Sequence, residues 1–486
     1  MGSPLAAGVT PGTGPITGGM EESWVAPLLD WLRDGGAQIA PLRVGVREGE
    51  RGLHATRRLA ADLPALEIPR ERLLTLEDAR NSDFGKRLAA SGLSPRSDDT
   101  WFAAFLLDLR SRAVPFWMPY LRSLPRAFPF NPLFFNPETL ALLKGSLLLS
   151  ALETRREELA VDHAALRAHG GDGFTWEDFV WARLVVLTRG FGVTVNGQRT
   201  KVLVPLADMF NCSPTPEVTW TYSEKQQAFV VYTVKEVPRG AELQAGYGSK
   251  CNSRFLLNYG FALEENPENR AALHFTVEDD GPQGARKRTL LGLLPGDQQF
   301  SRQASVSYDD KDTRRLFASL RTVCATEEEL KQMDAVPQAA AQPLGVRNEE
   351  AVLQRLARSS EDGLRGFDTT LEEDDGLLRS GKLERSARSC VVLRRGEKQV
   401  LRAYAALAHV ALPLLRLRGF EVEHWLATAP RQSLPLSLPR SQGLPLIDRY
   451  VRDAVLPLVR SQTQERLKAV GHRFADLLHP KAGKGE

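Results

Sequence analysis

Two strand-like stretches, residues 44–69 and 201–247, stand on either side of roughly a hundred residues with helical periodicity. No other feature limits the possible folds as much. In the first stretch, short apolar pieces are broken by Gly49 and Gly52 and end in Ala65-Leu66-Glu67-Ile68-Pro69. The second offers strands at 201–205, 218–222, 228–234 and 242–247. Between them the helical pattern runs from Asp78 to about Asp178, clearest over 101–112 and 137–168, and it continues over 176–187. Pro115, Pro119, Pro125, Pro129 and Pro132 punctuate the connection. The expected fold class is α+β, a β-rich core split by a helical insertion.

The flanks are simpler. Residues 23–33 carry apolar groups at helical spacing, and Gly35-Gly36 ends that run. Beyond Glu265 the chain reads as helical, over 316–320, 327–333, 348–358 and, longest, 397–418. In this last stretch Val400, Leu401, Tyr404, Leu407, Ala408 and Ala411 share one face, the pattern of core packing. Residues 434–446, with three prolines and a glycine, read as a loop. The expected organisation is a disordered leader at 1–22, a first domain at 23–265 with its insertion at about 78–178, an all-α domain at 266–475, and a flexible tail at 476–486.

Composition excludes several classes. Sixty-three Lys and Arg face sixty acidic residues, a net charge of +3, so no whole-chain attraction to nucleic acid is expected. Cys212, Cys251, Cys324 and Cys390 are scattered, which argues against a disulfide framework or metal cluster and for a reducing compartment. No apolar run approaches the roughly 20 residues of a membrane span. A P-loop, G-x-G-x-x-G, H-E-x-x-H and G-x-S-x-G are all missing, so nucleotide hydrolysis, Rossmann-type redox chemistry and zinc proteolysis lose their usual warrant.

Two segments stand out. One is Thr188-Arg189-Gly190-Phe191 followed by the apolar run from Val202, which ends in Ala207-Asp208-Met209-Phe210-Asn211-Cys212. The other is Gly246-Tyr247-Gly248, a strand end from which a short amphipathic helix delivers Tyr259 twelve residues later. On the residues alone, Asp208 and Asn211 are open to a capping role, the tyrosines to aromatic packing, and the glycines to a turn.

Together these segments resemble the SET-domain protein methyltransferases, in the branch that holds the Rubisco large-subunit lysine methyltransferase and the actin-histidine methyltransferase. The likeness begins at Arg51-Gly52-Leu53-His54-Ala55-Thr56 and continues through Phe116-Trp117-Met118-Pro119-Tyr120, Leu124-Pro125 and Phe174-Thr175-Trp176-Glu177-Asp178. It extends to the run from Leu320 to Leu330 and to Thr369-Thr370-Leu371-Glu372-Glu373-Asp374, so that residues 25–415 are covered. It implies a SET core with a pseudoknot and a helical substrate-binding domain. It also implies S-adenosylmethionine as cofactor, no metal, and a protein substrate presenting a Lys or His side chain. A cytoplasmic monomer is expected, with nucleus and plastid left open.

By the same resemblance Tyr247 is the catalytic tyrosine, and main-chain carbonyls at Arg189 and Asp208 help orient the acceptor amine. The cofactor would lie against a turn at Glu50, Arg51 and Leu53, then Arg189, Asp208, Asn211, Cys212 and Tyr259. Two departures stand out: Cys212 replaces the usual His after Asn211, and Gly49 replaces an acidic residue. The acceptor pocket is expected from Arg189, Phe191, Ala207, Asp208 and Tyr247. Phe191 and Ala207 stand where the actin-histidine enzyme carries an Asn and a Trp. An apolar wall there suits the stem of a Lys and offers nothing to an imidazole nitrogen. Lysine methylation is therefore the expected activity. Histidine methylation, or a binding protein that has lost turnover through Cys212, is the alternative.

Overall fold

Short strands build the first of the two units into which the chain divides, Met1–Pro129 with Glu153–Ser249. The computed structural model describes residues 23–465 and 468, apart from 48–49, 172, 279–280, 306–310, 336–338 and 429–439. The expected leader and tail, and Gly49, lie outside them.

Before the insertion come β1 (Gln38–Ile39), β2 (Leu42–Arg47), β3 (Glu50–Ala55), β4 (Pro64–Pro69) and β5 (Leu74–Thr75). After it come β6 (Gly190–Val195), β7 (Gln198–Leu203), β8 (Asn211–Cys212), β9 (Val218–Ser223), β10 (Ala228–Thr233) and β11 (Glu242–Ala245). The main sheet runs β1-β4-β10-β9-β11-β3-β2, with β8 beside β11. Strands from the two sides of the insertion interleave. Phe229 pairs with Ile68 and Val231 with Leu66, while Leu243 pairs with Leu53. Ladders within this sheet are antiparallel except where β11 meets β8 and β9. A smaller sheet, β5-β7-β6, pairs β5 from before the insertion with the β6-β7 hairpin that follows the helix Trp176–Arg189.

Several helices in and beside the insertion begin at side-chain caps. Thr75 forms a capping box with Asp78, and Ser82, Ser97 and Thr175 each accept from a first-turn N–H. Helix Asp98–Ser111 buries Phe102, Ala103, Leu106 and Leu107 and packs on Trp176–Arg189, which buries Phe179, Val180 and Val186. The expected continuous helix over 137–168 is broken into Pro137–Ala141 and Leu148–Ala168. Between them Gly145 adopts φ +86°, where a Cβ would lie 2.8 Å from the Gly366 carbonyl oxygen.

The second unit is Phe130–Leu152 with Lys250–Glu486, so its boundary falls before the expected 265 and it takes in part of the insertion. Packing explains both differences. Phe135, Leu143 and Leu148 share a buried cluster with Leu256, Cys390 and Leu393. Asn266 donates to the Lys250 carbonyl and to Asn252, tying residues 250–266 together.

This unit is not all-α. β12 (Arg270–Thr276) pairs antiparallel with β13 (Gln299–Ser305), and Ala271, Leu273 and Phe275 alternate into the core. Its helices include Lys311–Cys324, Val346–Arg365, Leu371–Arg379 and Arg385–Leu414, the last of 30 residues. Residues 434–439 of the expected loop lie outside the described residues. Its remainder belongs to helix Arg440–Tyr450, where Pro445 is tolerated beside buried Leu446, Ile447 and Tyr450.

Two buried ion networks cross this core. Asp374 accepts from Arg394 Nε at 2.9 Å and Lys398 Nζ at 2.7 Å. Glu349 accepts from Arg321 at 2.9 and 2.8 Å and from the Tyr450 hydroxyl at 2.5 Å. No described helix is long and apolar enough to cross a membrane.

Candidate active site

Leu206 holds an unusual backbone conformation, φ +70° and ψ −45°, although it carries a full side chain and is 1% exposed. A non-glycine residue there stores strain that the surroundings must over-determine. The bend ends the run from β7 and starts the single 3₁₀ turn Ala207–Met209, which buries Ala207 and Asp208.

Arg189, on the last turn of its helix, meets that turn. Its Nη1 donates to the Asp208 carbonyl at 2.7 Å and lies 3.4 Å from Asp208 Oδ2. The Tyr120 hydroxyl donates to the same Oδ2 at 3.1 Å across 88 residues of sequence. Asp208 Oδ1 and Arg189 Nε have no hydrogen-bond partner among the described residues. Burial pushes the Asp208 carboxyl above its ordinary range, against the opposing pull of Arg189, Tyr120 and Arg51. Burial, with Asp208 beside it, pushes the Tyr120 phenol well up.

Tyr247 follows β11, and its hydroxyl donates to the Phe210 carbonyl at 2.8 Å. The phenolic proton is thereby spent on the protein, which turns the oxygen lone pairs toward any neighbouring donor. Parallel pairing of Gln244 with Asn211 and Ala245 with Cys212 holds the two segments singled out in the sequence side by side.

Asn211 has a task within the fold. Its Nδ2 donates to the Arg51 carbonyl at 3.0 Å and to Glu242 Oε1 at 2.7 Å, which uses both amide protons. The Oδ1 end is the one suited to a ligand's donor. A Cβ at Gly52 would lie 2.3 Å from Glu242 Oε1 and 3.1 Å from Asn211 Nδ2, so a side chain there would have to displace the Glu242–Asn211 pair where it crosses β3. Burial raises the Glu242 carboxyl, and the Asn211 bond opposes the shift.

The expected turn at Glu50–Leu53 is instead strand β3, because each residue from Glu50 to Leu53 pairs with β2. Glu50 is exposed and Leu53 is 1% exposed. The Arg51 guanidinium donates to the Ser123 carbonyl at 3.0 Å and lies 5.0 Å from the Trp24 ring centre.

Phe191 on β6 packs edge-on against Trp220 and Phe229, at 5.2 and 5.0 Å between ring centres. Ala207 is fully buried. Arg189, Asp208, Asn211, Cys212 and Tyr247 are thus arranged within the first unit. Tyr259 belongs to the second, closing helix Asn252–Tyr259, where its ring packs with Phe255 and Phe261. Sequence reasoning missed Tyr120, Glu242 and Leu206. Tyr120 lies in a motif already singled out, but nothing local in it points to an aspartate 88 residues away.

Residues 278–401 match the family described as Rubisco LSMT substrate-binding. Actin-histidine N-methyltransferase from Homo sapiens is 26% identical over 472 residues, covering 92% of this chain and 77% of that protein. The Mus musculus protein of the same name is 27% identical over 474 residues, covering 92% and 77%. Among solved structures, the SET domain of LSMT bound to lysine and AdoHcy superposes with a TM-score of 0.70 at 22% identity, covering 86% of this chain and 98% of that one. Rubisco LSMT bound to AdoMet gives 0.67 at 21%, covering 85% and 97%. The fold is that of the LSMT SET domain. The resemblance read from the sequence, to SET-domain methyltransferases of the Rubisco LSMT and actin-histidine branch, is borne out.

Proposed function

We propose that this chain, which shares the LSMT SET fold, is an S-adenosylmethionine-dependent protein methyltransferase that modifies lysine. The observation that carries the reading is the oxygen-rich corner formed by Tyr247, Phe210 and Asp208, beside the parallel pairing of β8 with β11. The Tyr247 hydroxyl oxygen and the Asp208 carbonyl, the latter already holding Arg189, each have a second lone pair that suits the N–H bonds of an amine, and Asn211 Oδ1 suits a donor of the cofactor, so the residues present fit it. Its proposed contacts are Glu50, Arg51, Leu53, Arg189, Asp208, Asn211 through Oδ1, Cys212 and Tyr259. When bound, S-adenosylmethionine supplies a methyl group already activated on sulfur.

The protein's contribution is then orientation and dryness. Tyr247, its proton committed to Phe210, accepts from the amine and fixes its direction. Arg189 clamps the Asp208 carbonyl, so that this second acceptor does not wander. A lysine, with a pKa near 10.4, is neutral in about four molecules in ten thousand at neutral pH. The apolar wall of Phe191 and Ala207 favours that neutral form and covers the aliphatic stem.

Labelled methyl transfer to a proteome extract tests the activity, with calorimetry for cofactor binding. Tyr247→Phe should lower the rate about 10²–10³-fold with cofactor affinity nearly intact. Absent cofactor binding, or an unchanged rate, overturns the proposal. The relatives' name favours a second reading, histidine methylation. Tandem mass spectrometry of modified peptides separates the two. If lysine is the acceptor, Phe191→Asn should lower its methylation about ten- to a hundredfold, because an amide then lies unsatisfied against the stem. Methyl-histidine as the sole product favours the second reading. The proposed working form is a cytoplasmic monomer acting on a protein substrate.

A further inference from the structure

A cleft of about 280 Å³ opens in the second unit, lined from helices Val346–Arg365 and Arg385–Leu414 and from β12. Leu147, Phe367 and Leu401 give it apolar walls, and Glu397 lies one helical turn before Leu401. Glu397 is 6% exposed. Its Oε1 accepts from the Ser146 hydroxyl at 2.9 Å, and its Oε2 has no partner among the described residues. Half of the hydrogen-bonding capacity of this buried, cleft-lining carboxyl is therefore unused, and such groups call for an explanation.

The other polar atoms of the cleft do not supply the missing donor. The Ser359 hydroxyl donates to the His274 carbonyl at 2.8 Å and accepts from the His274 N–H at 3.1 Å. Asp362, at the exposed mouth, is an acceptor that pairs with Arg365. The neighbouring cations are committed elsewhere, Arg394 and Lys398 to Asp374 and Lys144 to Asp368. His274 is exposed on β12. With its proton released, Glu397 makes this an acceptor-lined cleft with apolar walls, which suits an N–H donor on an aliphatic stem. Its volume lies below the roughly 300–1,000 Å³ of small-molecule sites and suits a single side chain.

We propose that this cleft receives a basic side chain of a partner polypeptide, a Lys or Arg whose cation bonds to Glu397 Oε2 while its stem lies on Leu147, Phe367 and Leu401. The assignment stands apart from the methyl-transfer reading, since it needs neither cofactor nor turnover. It carries a proton signature. Burial pushes the free Glu397 carboxyl up to about 8, opposed by the Ser146 bond, so docking a cation releases that proton to solvent.

Titration of the full chain with n-butylguanidinium, followed by calorimetry between pH 6 and pH 9, tests this. One saturable site is expected, tightening about tenfold per pH unit below pH 8 and levelling above it. Glu397→Gln should weaken binding at least tenfold and abolish the pH dependence. Should that variant fail to fold, carbon-13 carboxyl resonances of the wild-type protein serve instead, since the Glu397 midpoint must fall when the probe saturates. Blocked N-acetyl-arginine methylamide should bind at least as well as free arginine. Absent binding, binding that tightens toward acid pH, an unmoved midpoint, or preference for free arginine overturns the proposal.

Discussion

Asp208 in the first unit and Asp374 in the second are both buried carboxylates, and their surroundings differ in kind. Asp374 has each oxygen engaged, Oδ1 by Arg394 and Thr369 and Oδ2 by Lys398. Asp208 concentrates its partners on Oδ2 and leaves Oδ1 without one among the described residues. A saturated carboxylate fixes the fold. An undersaturated one, next to a strained Leu206, is what the proposed methyl-transfer site would use.

Removing Asp374 should give the largest effect. Asp374→Ala leaves two buried cations uncompensated and should destabilise the protein by about 3–5 kcal/mol. Urea denaturation followed by circular dichroism measures it; a loss under about 1 kcal/mol would erase the contrast. Asp208→Asn should do the reverse. Stability should change by no more than about 1 kcal/mol, while methyl transfer falls roughly ten- to a hundredfold as the Arg189 clamp loosens. A raised folded pKa means that the wild-type carboxyl weakens the fold as pH rises through the carboxylate range. The amide is spared that weakening. Glu397 sharpens the same point by titration. Its folded pKa of about 8 lies above the unfolded value near 4.5, so native protein holds a proton that unfolded protein has lost. Stability should fall by up to about 1.4 kcal/mol per pH unit between those values. Glu397→Gln should flatten that slope in denaturation curves taken from pH 5 to pH 8.

How much of this was legible in sequence depends on the range of the interactions. The split β core was readable because periodicity is local, and the Tyr247 and Asn211 segments because their motifs are contiguous. β12 was also readable, since Ala271, Leu273 and Phe275 alternate, but a helical context masked the period of two. Gly145 similarly announced the break in the helix expected over 137–168. Tyr120 on Asp208, Glu242 on Asn211 and the position of residues 130–152 were not readable. Each depends on partners far away in sequence. The second amide bond of Asn211 is instructive, because the residue expected at the cofactor also joins β3 to β11.

The assignment of residues 130–152 to the second unit bears on synthesis as well as on form. Leu143 and Leu148 leave the ribosome long before their packing partner Leu256, and about 240 residues before Cys390 and Leu393. At roughly 5–20 residues per second, that apolar surface waits on the order of ten to fifty seconds for its cover. During this interval the uncovered apolar surface is open to aggregation and to chaperone capture. Slowing elongation after residue 152 would lengthen the interval.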